Sequence, residues 1–212
     1  MIEKTLSDEK TQRFYDLWGA NYDLFTFFEA RAKARAVQLL ALAPGQRVLE
    51  VGVGTGIELA AFQQAVQPDG SAWGVDLSAR MALVAHQKRG LPIARADGRA
   101  LPFGDQTFDR LYAAYVLDLI PAADLEPMLA GFHRVLRPGG LAVVVALTEG
   151  INLPSNLFVG LWKAMYALSP LSCGGCRPLQ LYSLAQQAGF STIEREVVLQ
   201  FGVPSEILVI HR

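Results

Sequence analysis

Residues 141 to 147 read Leu-Ala-Val-Val-Val-Ala-Leu, an unbroken apolar run rich in β-branched side chains. Side chains of a strand alternate between two faces, so such a run requires that both faces be buried. That excludes a sheet with one wet face and calls for helices on both sides. The rest of the chain supplies them. Strand-like runs at 47–51, 72–76, 93–96 and 108–114 alternate with helical segments at 55–64, 79–88 and 122–136. This alternation is that of a parallel sheet with crossover helices. Helices are also expected at 9–18 and 29–42, the second stopped by Pro44-Gly45. Past the apolar strand come a helix over 179–189 and strands at 192–199 and 206–211. Only Gln200 to Pro204 joins these last two strands, so one of them runs antiparallel. The expected fold is α/β: a doubly wound seven-stranded sheet, mostly parallel, with one antiparallel strand in a C-terminal hairpin.

The 212 residues are most economically one domain, 1–212, with a helical cap over 1–43. Residues 149–178 break the alternation and read as an insertion or lid after the fifth strand, with a helix around 157–168. Hydrophobic residues make up 51% of the chain, yet no apolar run reaches the roughly 18 residues that would span a bilayer. The polar start MIEKTLSDEK shows no leader, and the expected location is the cytoplasm, with peripheral membrane contact as a variant. A net charge of −1 without a basic block argues against nucleic acid as a partner. Cys173 and Cys176 in CGGC read as a redox pair, half a metal site or a turn made by Gly174 and Gly175. His86, His133 and His211 are scattered and supply no second half, so no metal is expected.

The first strand runs into VLEVGVGTGIELA, residues 48–60. In a parallel sheet this end of the strand faces the ligand crevice, and glycine lets backbone approach a ligand closely. Alone, the motif also reads as a tight strand-to-helix turn. Gly52, Gly54 and Gly56 give GxGxG, with Ile57 where a dinucleotide fingerprint has its third glycine. Glu50 places a carboxylate just ahead, which repels pyrophosphate and favours a cationic ligand. Asp76 ends the second strand, at the distance along the chain where a carboxylate holds ribose hydroxyls. It also reads as a helix N-cap, shared with Ser78. Asp97 ends the third strand, either as a turn residue or as a contact to an adenine amino group.

Together EVGVGTG, GVDLS, ADGRALPFGDQTFD and RVLRPGG resemble the class I S-adenosylmethionine-dependent methyltransferases. More narrowly, the chain resembles the branch of ubiquinone and menaquinone C-methyltransferases and bacterial phosphatidylethanolamine N-methyltransferases. The motifs span residues 48–140, with looser similarity in YDLWGANYDLF and LWKAMYALSPL. The resemblance implies a Rossmann-like fold and S-adenosylmethionine as cofactor. It implies that Glu50, Gly52, Gly54 and Gly56 hold the methionine part. By the same resemblance Asp76 holds the ribose hydroxyls, Leu77 lies against the adenine, and Asp97 and Gly98 meet the adenine edge. Tyr115 and Val116 would line the methyl-transfer site, and Tyr22 would lie over the cofactor near the sulfonium. The quinone enzymes of the branch carry an Arg-Asn pair after strand four, where this chain has Val116-Leu117-Asp118.

The acceptor is read from two places. Asp118, in AAYVLDLIP, stands at the strand end where substrate sits, either as a proton acceptor or ammonium anchor or as a loop salt bridge. With Tyr115 it forms the candidate catalytic pair. In the insertion, Trp162 and Tyr166 at helical spacing line a substrate pocket or pack a cover helix onto the sheet. Arg177 reads as an anchor for an anionic group or as a surface arginine. With LFTFF at 24–28 the insertion would form an apolar lid. The expected reaction is methyl transfer to a small hydrophobic acceptor: a quinone precursor, a lipid or a lipophilic metabolite. The alternatives are N-methylation of a phospholipid amine at a membrane surface and a non-catalytic cofactor-binding partner subunit. Oligomeric state is not legible.

Overall fold

A computed structural model describes residues 5–18, 26–188, 190 and 192–212. Tyr22, Leu24 and Phe25, assigned above to the cofactor and the lid, lie outside the described residues. Two helices, α1 (Asp8–Trp18) and α2 (Ala30–Leu40), precede the sheet. A 3-10 turn over Thr26–Glu29 leads into α2. Then β1 (Arg47–Val51), α3 (Ile57–Val66), β2 (Ser71–Asp76), α4 (Ala79–Arg89), β3 (Ile93–Arg95) and β4 (Phe108–Ala114) alternate. They are followed by α5 (Ala122–Val135), β5 (Leu136–Leu147), α6 (Leu153–Leu168), α7 (Leu181–Gln187), β6 (Thr192–Gln200) and β7 (Val203–His211).

The seven strands form one sheet in the order β3-β2-β1-β4-β5-β7-β6. β7 alone is reversed, pairing antiparallel with both β5 and β6. Chain direction reverses at Phe201-Gly202, where both residues have positive φ, 52° and 84°. That is the backbone a two-residue hairpin turn requires. The apolar run 141–147 does sit in the middle. Ala142, Val144 and Ala146 pack with α5 and α7 residues such as Phe132 and Leu181, while Val143 and Val145 pack with Ala36 of α2 and Phe62 of α3.

The insertion helix is longer than the sequence suggested, because Asn152 caps it: its side chain accepts from Ser155 N at 3.0 Å. Pro138-Gly139-Gly140 form a bulge inside β5, whose pairing jumps from Phe108↔Leu136 to Arg110↔Leu141. Helix α3 starts at Ile57 rather than Thr55, since Gly56 takes the left-handed conformation at its N-cap. Long-range contacts tie α2 to the far edge of the sheet. Arg35 pairs with Glu196 at 2.9 Å, and Arg31 N donates to Gln200 Oε1 at 2.7 Å.

Candidate functional site

The sheet reverses its winding between β1 and β4, and a cleft opens above their C-terminal ends. Gly52 begins the loop that floors it. Gly52 N and Val53 N donate to Val75 O at 2.8 and 3.2 Å. A Cβ on Gly52 would collide with Val116 Cγ2, and φ is +77°, so only glycine lets this loop lie against the segment that follows β4. A Cβ on Gly54 would meet no protein atom within 4 Å, because that backbone faces the open cleft.

Asp76 braces the loop. Its Oδ2 accepts from Gly54 N and its Oδ1 from Ser78 N, both at 2.8 Å. Burial pushes its carboxyl up to about 6, against the pull of those two amides. Ser78 is the N-cap of α4, accepting from Met81 N at 3.0 Å, and it donates to Asp16 of α1. The cap is therefore Ser78, and Asp76 keeps its carboxylate on the cleft wall. Asp97 is held by Arg99, whose Nε donates to both carboxylate oxygens at 3.0 Å. The guanidinium keeps Asp97 below the usual carboxylate range. Arg99 also reaches Asp8 of α1 at 2.6 Å and Asp124 of α5 at 2.9 Å, pinning the N-terminal helix across the cleft.

Like Glu29 Oε2 and the Tyr112 hydroxyl of the same cleft, Glu50 is incompletely satisfied. It is buried, and its Oε2 has no hydrogen-bond partner among the described residues. Burial, with Glu58 nearby, holds its carboxyl well above the ordinary range. Lys33 of α2 lies 3.3 Å from Glu29 and 3.8 Å from Glu58. Burial alone would lower the lysine, but the carboxylates outweigh it and raise it. Three carboxylates share one cation here, so the spot attracts a second positive charge. Gly52, Gly54, Leu77, Asp97, Gly98, Tyr115 and Val116 all line the same cleft. An orphaned carboxylate, an open glycine backbone and a ring of acids suit the methionine part and ribose of S-adenosylmethionine, and suit pyrophosphate poorly.

A second cavity, about 190 Å³, adjoins the first. Its wall is largely apolar: Phe28, Leu147, Phe158, Trp162 and Val203, with Glu29, Tyr115, Asp118 and Cys176. Glu29 and Tyr115 line both cavities, so the two meet there. Tyr115 is held in place: φ is 55°, and its hydroxyl is 2.7 Å from Ser205 Oγ. Asp118 is fully buried. Its Oδ1 has no partner among the described residues, and its Oδ2 is 3.5 Å from Leu147 N. Burial and Glu29 push its carboxyl up to about 7, with Arg177 pulling it down.

Two expected substrate residues sit elsewhere. Arg177 is buried, neither a surface arginine nor part of either cavity wall. It donates to Asp118 O and Ile120 O and so fixes the turn that aims Asp118. Tyr166 is buried on the inner side of α6 and lines neither cavity, whereas Trp162 lines the second, its Nε1 donating to Cys176 O at 2.9 Å. Cys173 and Cys176 are free thiols flanking a left-handed Gly174-Gly175 turn. No metal-binding group of side chains occurs among the described residues. Glu29 and Lys33 were not singled out in the sequence. Their four-residue spacing marks a helical ion pair, but nothing local places it at the junction of two cavities.

Comparison with known proteins agrees with this geometry. A family model described as a methyltransferase domain matches residues 48–140. An uncharacterized methyltransferase of Synechocystis is 30% identical over 176 residues, 80% of this chain and 78% of that protein. A demethylmenaquinone methyltransferase of Geobacillus kaustophilus is 30% identical over 153 residues, covering 67% of this chain and 64% of its own length. The chain thus spans less than two thirds of that quinone enzyme. In fold, a cyclopropane synthase of Mycobacterium tuberculosis superposes over the whole of both chains with a TM-score of 0.74 at 15% identity.

Proposed function

Since the chain belongs to the class I S-adenosylmethionine-dependent methyltransferases, we propose that it methylates a small hydrophobic acceptor carrying an acidic hydroxyl or enol, seated in the second cavity. The observation that carries this reading is the junction of the two cavities at Tyr115 and Glu29, with Asp118, whose Oδ1 has no partner among the described residues, in the wall of the apolar one. An apolar protein cavity of about 150 Å³ accommodates a benzene ring. A cavity of about 190 Å³ therefore suits a single substituted ring. The demethylmenaquinone methyltransferase among the relatives supports an aromatic acceptor.

When bound, S-adenosylmethionine supplies a strongly electrophilic methyl group on its sulfonium. Glu50, with Glu58 beside it, receives the methionyl ammonium, and Asp76 accepts from the ribose hydroxyls. Asp97 and Gly98 meet the adenine edge, with Leu77 against the ring. Tyr115, at the junction of the cavities, and Val116, on the donor side, hold the acceptor and donor in line, where orientation provides much of the rate. Asp118 Oδ1 takes the proton that the acceptor gives up as its oxygen or carbon gains the methyl. Burial serves that role, because a base near 7 is matched to neutral pH. The apolar walls keep water from competing.

An acceptor screen tests the reading: phenols, hydroquinones, long-chain amines and phosphatidylethanolamine, each with product mass measured. Phenol or hydroquinone methylation is the expected result. Transfer confined to the amines would move the assignment to amine N-methylation, with Asp118 and Glu29 as ammonium anchors. S-adenosylhomocysteine binding without any transfer would leave a non-catalytic subunit. The ribose assignment has its own check by calorimetry. Asp76→Ala should weaken S-adenosylhomocysteine by about 1 to 3 kcal/mol, the loss of charge-assisted contacts. In the wild type, affinity should fall as pH drops through about 6, where Asp76 takes up a proton. A folded Asp76→Ala protein with unchanged affinity would remove that role.

A further inference from the structure

Helix α6 is apolar on the side that faces away from the protein. Ser155, Val159 and Tyr166 point inward and are buried. Leu153, Leu157, Leu161 and Met165 recur every fourth residue on the outer side, and Leu157 and Leu161 are 67% and 64% exposed. Lys163 is the one charged residue of the helix, and it is neutralised by Glu149 at 2.7 Å. A surface helix normally turns charge toward water, so this face is built for an apolar medium.

The face continues beyond the helix. Phe27 stacks on Phe201 with centroids 5.3 Å apart, and Phe28 meets Phe201 edge-on at 6.0 Å. All three rings are more than half exposed. The Phe201-Gly202 turn lies against the first turn of α6, a Cβ on Gly202 being 3.9 Å from Pro154 O. Phe28 also lines the second cavity, as do Phe158 and Trp162 of α6 and Val203 beside the turn. The mouth of that cavity therefore opens within the apolar face. At its edge Arg31 donates to Leu199 O and has no carboxylate partner among the described residues.

From this we infer that α6 and the Phe27, Phe28 and Phe201 cluster dock the enzyme on a lipid bilayer, from which the acceptor enters the second cavity. The inference rests on that cavity being the acceptor's. A protein partner or second copy seated on this face would close the mouth, whereas a fluid lipid surface leaves it open to lipophilic molecules. Arg31 without a carboxylate suits an anionic headgroup at the rim. No helix among the described residues is long and apolar enough to cross a membrane, so α6 lies in the interface and does not span it.

Flotation with vesicles of phosphatidylcholine, with and without phosphatidylglycerol, tests the docking without reference to turnover. Wild-type protein should float with the mixed vesicles. The double variant Leu157→Glu, Leu161→Glu and the single variant Phe201→Glu should lose at least tenfold in bound fraction, with S-adenosylhomocysteine affinity unchanged as the control for folding. Arg31→Gln should lose binding only to the anionic vesicles. With a short, water-soluble phenol the Leu157→Glu, Leu161→Glu variant should turn over as the wild type does. With a long-chain acceptor embedded in vesicles it should slow at least tenfold. Wild-type protein that stays unbound with both vesicle types would overturn the inference. So would a dimer in solution that the glutamate substitutions dissociate, since the face would then belong to a second copy. If no phenol or quinol is methylated while flotation behaves as expected, the acceptor assignment fails and the lipid docking stands.

Discussion

Asp118→Asn should lower kcat on a phenolic acceptor by about a hundredfold or more, the usual contribution of a positioned general base, with S-adenosylhomocysteine affinity within twofold of wild type. The amide is nearly the shape of the carboxylate and keeps the contact with Leu147 N, so the loss reports proton transfer rather than collapse of the cavity. The pH dependence separates the two. Wild-type kcat should rise with pH through about 7 as Asp118 loses its proton, and the variant should show no such rise. Stability carries the opposite sign. The folded protein holds a proton on Asp118 up to about 7, while the unfolded chain releases it near the ordinary carboxylate value of about 4. Across that window the folded state binds more protons, so stability falls as pH rises. Asp118→Asn should remove that decline. Glu29, Tyr115, Tyr166, Cys176 and Arg177 are the other titratable neighbours; Glu29 Oε2 also lacks a hydrogen bond but has Lys33 at 3.3 Å, whereas Asp118 Oδ1 has no partner among the described residues.

Glu50→Gln should separate affinity from stability. The carboxylate is buried with Oε2 unpartnered, a costly state unless a cation arrives. Replacing it with a neutral amide should leave the melting temperature of the free protein unchanged or higher. S-adenosylhomocysteine affinity should drop roughly 10- to 100-fold, or about 1.4 to 2.7 kcal/mol. Thermal melts and calorimetry on the same preparation read both. A variant that loses stability and keeps affinity would mean that Glu50 is a structural carboxylate and that the ammonium is held elsewhere. Lys33 sharpens the comparison. It supplies one positive charge to Glu29 and Glu58, leaving Glu50 the carboxylate to be completed by the ligand.

The sheet was legible because its rules are local. A run such as Leu141–Leu147 can be apolar throughout only when covered on both faces, and the short link after Gln200 forces a reversal. The cleft that we propose for the donor was legible for a related reason. Glu50 and Asp76 lie at the ends of β1 and β2 and Asp97 just past β3, and parallel strands deliver their ends to one crevice, so order along the chain becomes proximity in space. The acceptor side does not work that way. Glu29 reaches the junction because α2 is docked on β6 through Arg31 and Arg35, contacts that span well over a hundred residues. Arg177 looked like a surface arginine, since a lone Arg after a Gly-Gly turn gives no hint that it is buried with its guanidinium on two carbonyls, Asp118 O and Ile120 O. Tyr166 and Trp162 share the insertion helix, and which of them faces the cavity depends on the rotation of α6 about its axis. That rotation is set by Ser155 and Val159 packing inward, which spacing alone does not reveal.

We place the acceptor in the apolar cavity, joined at Tyr115 and Glu29 to the cleft proposed for the donor. Photo-crosslinking tests it most directly, with a phenol bearing a diazirine, S-adenosylhomocysteine bound, and adducts mapped by peptide mass. Adducts are expected on Phe158 and Trp162 of α6 and on the segment around Val203, suppressed by excess unlabelled phenol. Suppressible adducts confined to the cleft wall near Asp97 and Met128, with none on α6, would contradict it.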